Sequence, residues 1–146
     1  MITTILMDLD DTILDFRKAE QGALQKALLK IGVDPTPAVL QRYSEINLSQ
    51  WKLLELGGLT QEQVKINRYK IFFKELGIDA VPEYTAKVYE HNLAFEHELV
   101  DGAMELLQQL SGKYRLYAAS NGTYEVQRQR QERGQRPVFA QKKSRN

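Results

Sequence analysis

The sequence predicts an α/β fold: a short parallel sheet interrupted by an inserted α-helical subdomain. Three observations carry that expectation. "MITTILMDL" at the start is short, apolar and β-branched, and stops at acidic residues, as a buried strand does. "YRLYAAS", residues 114–120, has the same character. Between them lies a long stretch of helical periodicity, far longer than one strand-to-strand crossover requires.

The elements follow in order. The first strand lacks clean polar alternation, which predicts burial on both faces, as in a parallel sheet. From Phe16, Ala19, Ala23, Ala27 and Ile31 recur every four residues, with Leu24 and Leu28 beside them, and Gly32 is the expected stop. Pro35 and Pro37 punctuate the start of a second helix carrying Leu40, Tyr43, Ile46, Trp51 and Leu54, which Gly57–Gly58 ends. Thr60 and Gln63 fit a capping box, opening a third helix through Val64, Tyr69, Phe72 and Phe73 to about Gly77. A fourth follows Pro82 through Tyr89 and Leu93. Residues 102–111 predict a helix with Leu106, Leu107 and Leu110 on its core side. After the second strand comes the loop "SNGT", and Tyr124–Glu125 open a last helix. The resulting division is a partial α/β core over 1–15 and 98–133, a helical insertion over 16–97, and a basic tail over 134–146 that is expected to fray.

Composition narrows the function classes. The 146 residues include no cysteine, which removes disulfides and thiolate metal sites and fits a reducing, cytoplasmic setting. No basic-then-apolar leader opens the chain, and no apolar run approaches the ~20 residues of a membrane span. Charge is uneven: residues 127–146 hold seven Lys/Arg against Glu132, whereas the rest holds 13 basic and 18 acidic groups. The basic end is read as a solvated tail. Nucleic acid is not the expected partner, because the tail has one aromatic, Phe139, and no defined fold. His91 and His97 have no metal-ligand pattern around them and read as surface or packing residues, and the aromatics Trp51, Tyr69, Phe72, Phe73 and Tyr89 read as helical core.

The chemistry concentrates in "ILMDLDDTIL", where Asp8, Asp10 and Asp11 crowd at the end of the first strand. Carboxylates at the C-terminal end of a parallel strand face the crevice where α/β proteins bind ligands. Two close carboxylates either share a cation, for which hard oxygen ligands favour Mg²⁺, or one is protonated and becomes an acid/base beside a nucleophile. Both arrangements serve phosphoryl transfer, in which a carboxylate attacks phosphorus. A Gly-containing loop at the second strand end offers N–H groups to the anion.

Asp8-Leu9-Asp10-Asp11-Thr12 resembles the DxDxT signature of the haloacid dehalogenase (HAD) superfamily, and "YRLYAASNG" resembles its second signature, an apolar strand ending in Ser or Thr. The helical insertion resembles a C1-type cap, and the stretches "MDLDDTILDF" and "SNG" are similar to those of the pyrimidine 5′-nucleotidase-like branch. The resemblance implies an HAD-like Rossmannoid parallel sheet, incomplete here, with an inserted α-helical cap. It implies a Mg²⁺-dependent phosphohydrolase acting on a small phosphorylated metabolite, with a nucleoside monophosphate as the first candidate, through an aspartyl-phosphate. Asp8 would be nucleophile and metal ligand. Asp10 would be acid/base and would give the metal its backbone carbonyl. Thr12 would steady Asp10 and the turn at the phosphate site, and Ser120, with Asn121 and the amides near Gly122, would hold the phosphate. Asp11 carries no implied role.

Two further HAD signatures, a Lys and a later acidic pair, have no clear counterpart. Lys142 and Lys143 come too early for the first, and Glu125 and Glu132 are the only acids after Ser120. The chain is therefore expected to be a shortened HAD protein, altered near residue 131, with weak Mg²⁺ binding and little turnover alone. Its first strand would present an open edge that invites self-association. Two other readings stay open: a non-catalytic remnant acting through protein contacts, and a nucleic-acid-associated protein using the basic tail.

Overall fold

The computed structural model describes residues Met1–Gly134. The tail expected over 134–146 therefore lies, apart from Gly134, outside the described residues, as do Lys142 and Lys143. Two strands, β1 (Thr4–Asp8) and β2 (Arg115–Ala119), and six helices follow in the order β1, α1 (Phe16–Lys30), α2 (Pro37–Glu55), α3 (Gln61–Leu76), α4 (Pro82–Leu93), α5 (Ala103–Ser111), β2, α6 (Tyr124–Gly134). Contacts divide the described residues into two compact units: Met1–Ala19 with those from Leu93 onward, and Glu20–Asn92. None of the described helices is long and apolar enough to cross a membrane.

In the first unit β1 and β2 pair in parallel, from Thr4 opposite Arg115 to Asp8 opposite Ala119. The core of this unit is Ile13, Ala103, Leu107 and Leu116, with Ile5 and Met7 packed against it. The strand is not buried on both faces as its unbroken apolar run suggested. It alternates, and Leu6 is 67% exposed. The core covers only the Ile5/Met7 face, and side chains of a strand point to opposite faces in turn. The same limit applies to α5: Leu107 is buried, whereas Leu106 is exposed instead of core-facing.

The second unit is held by aromatic packing. Tyr43, Tyr69 and Phe72 are fully buried and Tyr89 nearly so, with ring centroids of Tyr43 and Tyr69 5.3 Å apart. Trp51, expected among them, is only half-buried, and Tyr43 takes the central place. The helix ends follow local chemistry. Thr60 accepts from the Gln63 amide at 3.2 Å while Gln63 Oε1 accepts from the Thr60 amide at 2.8 Å, a complete capping box. Gly77 closes α3 in the left-handed region, φ 65°, which costs a glycine nothing.

Burial pushes the Tyr43 hydroxyl up to about 12, and that of Tyr69 well above its ordinary value. A raised value means the folded state favours the neutral phenol. The stabilisation is complete below the unfolded value of 10 and is lost as pH rises from there towards 12. Denaturant unfolding followed from pH 8 upward should show stability falling above about pH 10, with Tyr43→Phe flattening the fall by about 2–3 kcal/mol. An identical alkaline slope in the variant would contradict this account.

Candidate active site

The turn after β1 shows how three aspartates fit into an apolar run. Leu9, Ile13 and Leu14 are buried and anchor the turn. The Leu9 carbonyl accepts from the amides of Thr12, Ile13 and Leu14 at 3.3, 2.9 and 2.8 Å. Curling the chain about one carbonyl leaves Asp8 and Asp11 exposed and Asp10 partly so. Asp11 sits at φ 60°, a left-handed conformation that aspartate tolerates better than most residues. Its Oδ1 accepts from the Phe16 amide at 3.1 Å, at the start of α1. Asp11 thus has a structural task, consistent with the absence of an implied catalytic one.

The parallel register does the long-range positioning. Asp8 lies opposite Ala119, so the residue after β2, Ser120, emerges at the same strand ends as the aspartate turn. Ser120 Oγ accepts from the Gly122 amide at 3.0 Å, which shapes the "SNG" loop. Asn121 lies in that loop, exposed. Thr12 donates its hydroxyl to Asp8 Oδ2 at 3.2 Å. The resemblance led us to expect it to steady Asp10. The hydroxyl reaches back four residues instead, because the turn curls towards the end of β1.

Asp10 is held by residues that sequence reasoning missed. Gln127 Nε2 donates to Asp10 Oδ2 at 2.7 Å and to Ser120 Oγ at 2.8 Å. Arg130 Nη1 donates to Asp10 Oδ1 at 2.7 Å and to Gln127 Oε1 at 2.8 Å, and Arg130 Nε donates to the Glu96 carbonyl at 2.8 Å. The Gln127 amide can face only this way, since its carbonyl would otherwise oppose the carboxylate. Arg130 is 1% exposed, yet its Nη2 has no hydrogen-bond partner among the described residues. The signal available in the sequence was the spacing: Gln127 and Arg130, three apart, share one face of a helix whose buried residues include a single aliphatic, Val126. A helix this polar must dock through polar groups. Arg133 does likewise, donating to the Ala94 carbonyl and stacking 4.0 Å above the Phe95 ring.

Gly122 earns its place by close approach. A Cβ there would lie 2.8 Å from Gln127 Nε2 and 3.0 Å from its Cγ and Cδ. The Gln127 side chain fills the space that any larger residue would need.

The donor set fits part of a Mg²⁺ site. The Asp8 carboxylate and the Asp10 backbone carbonyl are hard oxygen donors of the right kind. The Asp10 carboxylate is already engaged on both oxygens, and among the described residues no cluster of three or more acidic or histidine side chains could hold a metal. A cavity of about 440 Å³ in the helical unit, lined by Lys26, Lys30, Lys87, Val88, His91 and Asn92, includes none of the motif residues.

Comparison with known proteins gives this geometry a context. The family of haloacid dehalogenase-like hydrolases matches over residues 5–135. YfnB of Bacillus subtilis, described as an HAD-hydrolase, is 34% identical over 127 residues, covering 87% of this chain and 54% of YfnB. The pyrimidine 5′-nucleotidase PynA of Streptococcus pneumoniae is 35% identical over 124 residues, covering 84% of this chain and 52% of PynA. The chain thus spans about half the length of the curated relatives it matches. A crystal structure of YfnB bound to magnesium superposes with a TM-score of 0.89 at 33% identity, covering 94% of this chain and 62% of that one. The defluorinating L-2-haloacid dehalogenase Rha0230 shares the fold at a TM-score of 0.70 and 15% identity, covering 93% of this chain and 58% of that one.

Proposed function

Because this chain belongs to the haloacid dehalogenase-like hydrolase family, we propose that its aspartate turn and "SNG" loop form the phosphotransfer site of a phosphomonoesterase. The substrate class is a small phosphorylated metabolite, and a pyrimidine nucleoside monophosphate is the first candidate, from the relationship to PynA. The observation that carries this reading is the register placing Asp8 and Ser120 at the same strand ends, with Asp10 joined to Ser120 through Gln127.

In this reading Asp8 attacks phosphorus and the bond to the leaving oxygen breaks. Asp10 gives that oxygen its proton, then takes a proton from the water that hydrolyses the aspartyl-phosphate. Asp10 enters the step protonated, the proton sitting on the second lone pair of one of its engaged oxygens, and that lone pair later receives the proton from water. Ser120 and the neighbouring loop amides hold the phosphate oxygens. Thr12 orients the Asp8 carboxylate through its hydroxyl. When bound, Mg²⁺ would supply the charge that lets an anionic carboxylate approach an anionic phosphate, held by the Asp8 carboxylate and the Asp10 carbonyl. The helical segment over 16–97 is assigned to the cap that selects the substrate.

A second reading, phosphate binding or protein contact without turnover, is favoured by one observation. Among the described residues no third carboxylate joins Asp8 and Asp10 as a metal site. One assay separates the two: phosphate release by the 146-residue chain from pyrimidine and purine nucleoside monophosphates, with Mg²⁺ and with EDTA. Weak Mg²⁺-dependent release is expected, preferring pyrimidines, because among the described residues only the Asp8 carboxylate and the Asp10 carbonyl stand ready for the metal. A flat assay from a chain with a folded circular-dichroism spectrum would overturn turnover and leave the second reading.

A further inference from the structure

We infer that Gln127 and Arg130 are positioning residues, holding Asp10 and Ser120 in one fixed array from the buried face of α6. The inference rests on the phosphotransfer reading of that site and assigns a role to side chains of α6 that the aspartate and serine motifs do not include.

Three features separate this array from ordinary helix docking. Gln127 engages both ends of its amide within it: its nitrogen donates to Asp10 and Ser120, and its oxygen accepts from Arg130. It therefore bridges the acid/base on the first turn to the phosphate ligand after the second strand, residues that share no other hydrogen bond described above. Arg130 then fixes the far side of Asp10 and is tied to the backbone at Glu96. Its burial is costly, since the Nη2 amino group, with both its hydrogens, stays unpartnered among the described residues. An arginine kept in a buried position at that cost, with its charge against the acid/base, is poorly explained by packing. The third feature is Gly122, whose missing Cβ is the space that the Gln127 side chain occupies. The glycine of the "SNG" loop is thus required by the bridge as much as by the anion.

A displaced acid/base weakens the chemical step more than substrate capture, and a misplacement of about 1 Å can cost about 10²-fold. Gln127→Met keeps the bulk and removes the hydrogen bonds. It should lower kcat by about 10²-fold with KM within about twofold. Arg130→Lys keeps the charge and should lose less than Arg130→Met. Gly122→Ala should resemble Gln127→Met, and should cost little more when added to Gln127→Ala, in which the crowding atoms are gone. The substrate is p-nitrophenyl phosphate, and thermal melts of each variant establish folding.

A second arm does not depend on turnover. In ¹H–¹⁵N spectra the Gln127 side-chain amide should shift in both Asp10→Asn and Ser120→Ala, and the Gly122 amide should shift in Gln127→Met. Shifts in all three support the bridge. A Gln127 amide unmoved by either substitution overturns it, as does an unchanged kcat, or a KM effect alone, in folded Gln127→Met. A wild-type chain without turnover but with the coupled shifts defeats the phosphohydrolase reading and leaves the array standing.

Discussion

On the phosphotransfer reading, Asp8→Asn is expected to reduce phosphate release by more than about 10²-fold while leaving the protein as stable as before. The two halves of that expectation have different physical origins. An amide is a poor nucleophile and cannot form the aspartyl-phosphate, so the covalent route closes. The fold loses nothing comparable. Asp8 is exposed, its one described side-chain contact is the 3.2 Å hydrogen bond from Thr12, and an asparagine oxygen can accept the same proton. Removing one of three crowded negative charges also relieves repulsion in the turn. The melting temperature should therefore move little, within the ~0.5 kcal/mol typical of surface changes. Phosphate release and a thermal melt on the same sample check both. Residual activity above about one part in 10² in a well-folded variant would mean that Asp8 is not the attacking group.

Much of this arrangement was legible in the sequence because its signals are local. The Thr60–Gln63 box, the left-handed stop at Gly77 and the apolar strands each depend on a few neighbouring residues, and each forms. The aspartate turn was legible for the same reason, since Leu9, Ile13 and Leu14 bury themselves and leave the acids outside. What escaped depends on partners distant in the chain. "VQRQRQER" reads as a solvated charge run until Asp10, more than a hundred residues earlier, is placed against it. Arg130 and Arg128 look alike in sequence; Arg130 is buried on Asp10, whereas Arg128 makes surface pairs with Glu125 and Glu132. The outward turn of Leu6 has the same cause. Which face of a strand is covered is set by what packs on it, and the strand's own residues do not record that.

The helical unit makes the same point about Arg68, and there the expected effect on stability is the largest. Arg68 is 3% exposed, in the middle of an aromatic cluster, with its guanidinium 4.8 Å from the Tyr89 ring centroid and 5.3 Å from that of Tyr69. It donates to Asn47 Oδ1 at 3.1 Å, and Asn47 donates in turn to Glu20 Oε2 at 2.6 Å. Two opposite charges are thus buried and joined through one amide. Such a relay is costly to assemble and costlier to break, because removing one partner strands the other charge away from water. Arg68→Met keeps most of the side-chain volume, so packing alone predicts a loss below about 1.5 kcal/mol. The charge argument predicts about 3–5 kcal/mol. The second should win, because the buried Glu20 carboxylate would lose the cation that its relay through Asn47 reaches, which is costly whether the group stays charged or takes up a proton. Glu20→Gln combined with Arg68→Met removes both charges and should recover most of the loss, a clear departure from additivity. Urea unfolding of the two single variants and the double variant reads this directly. Additive losses across the three would show that Arg68 stabilises the unit by packing against its tyrosines and not through its link to Glu20.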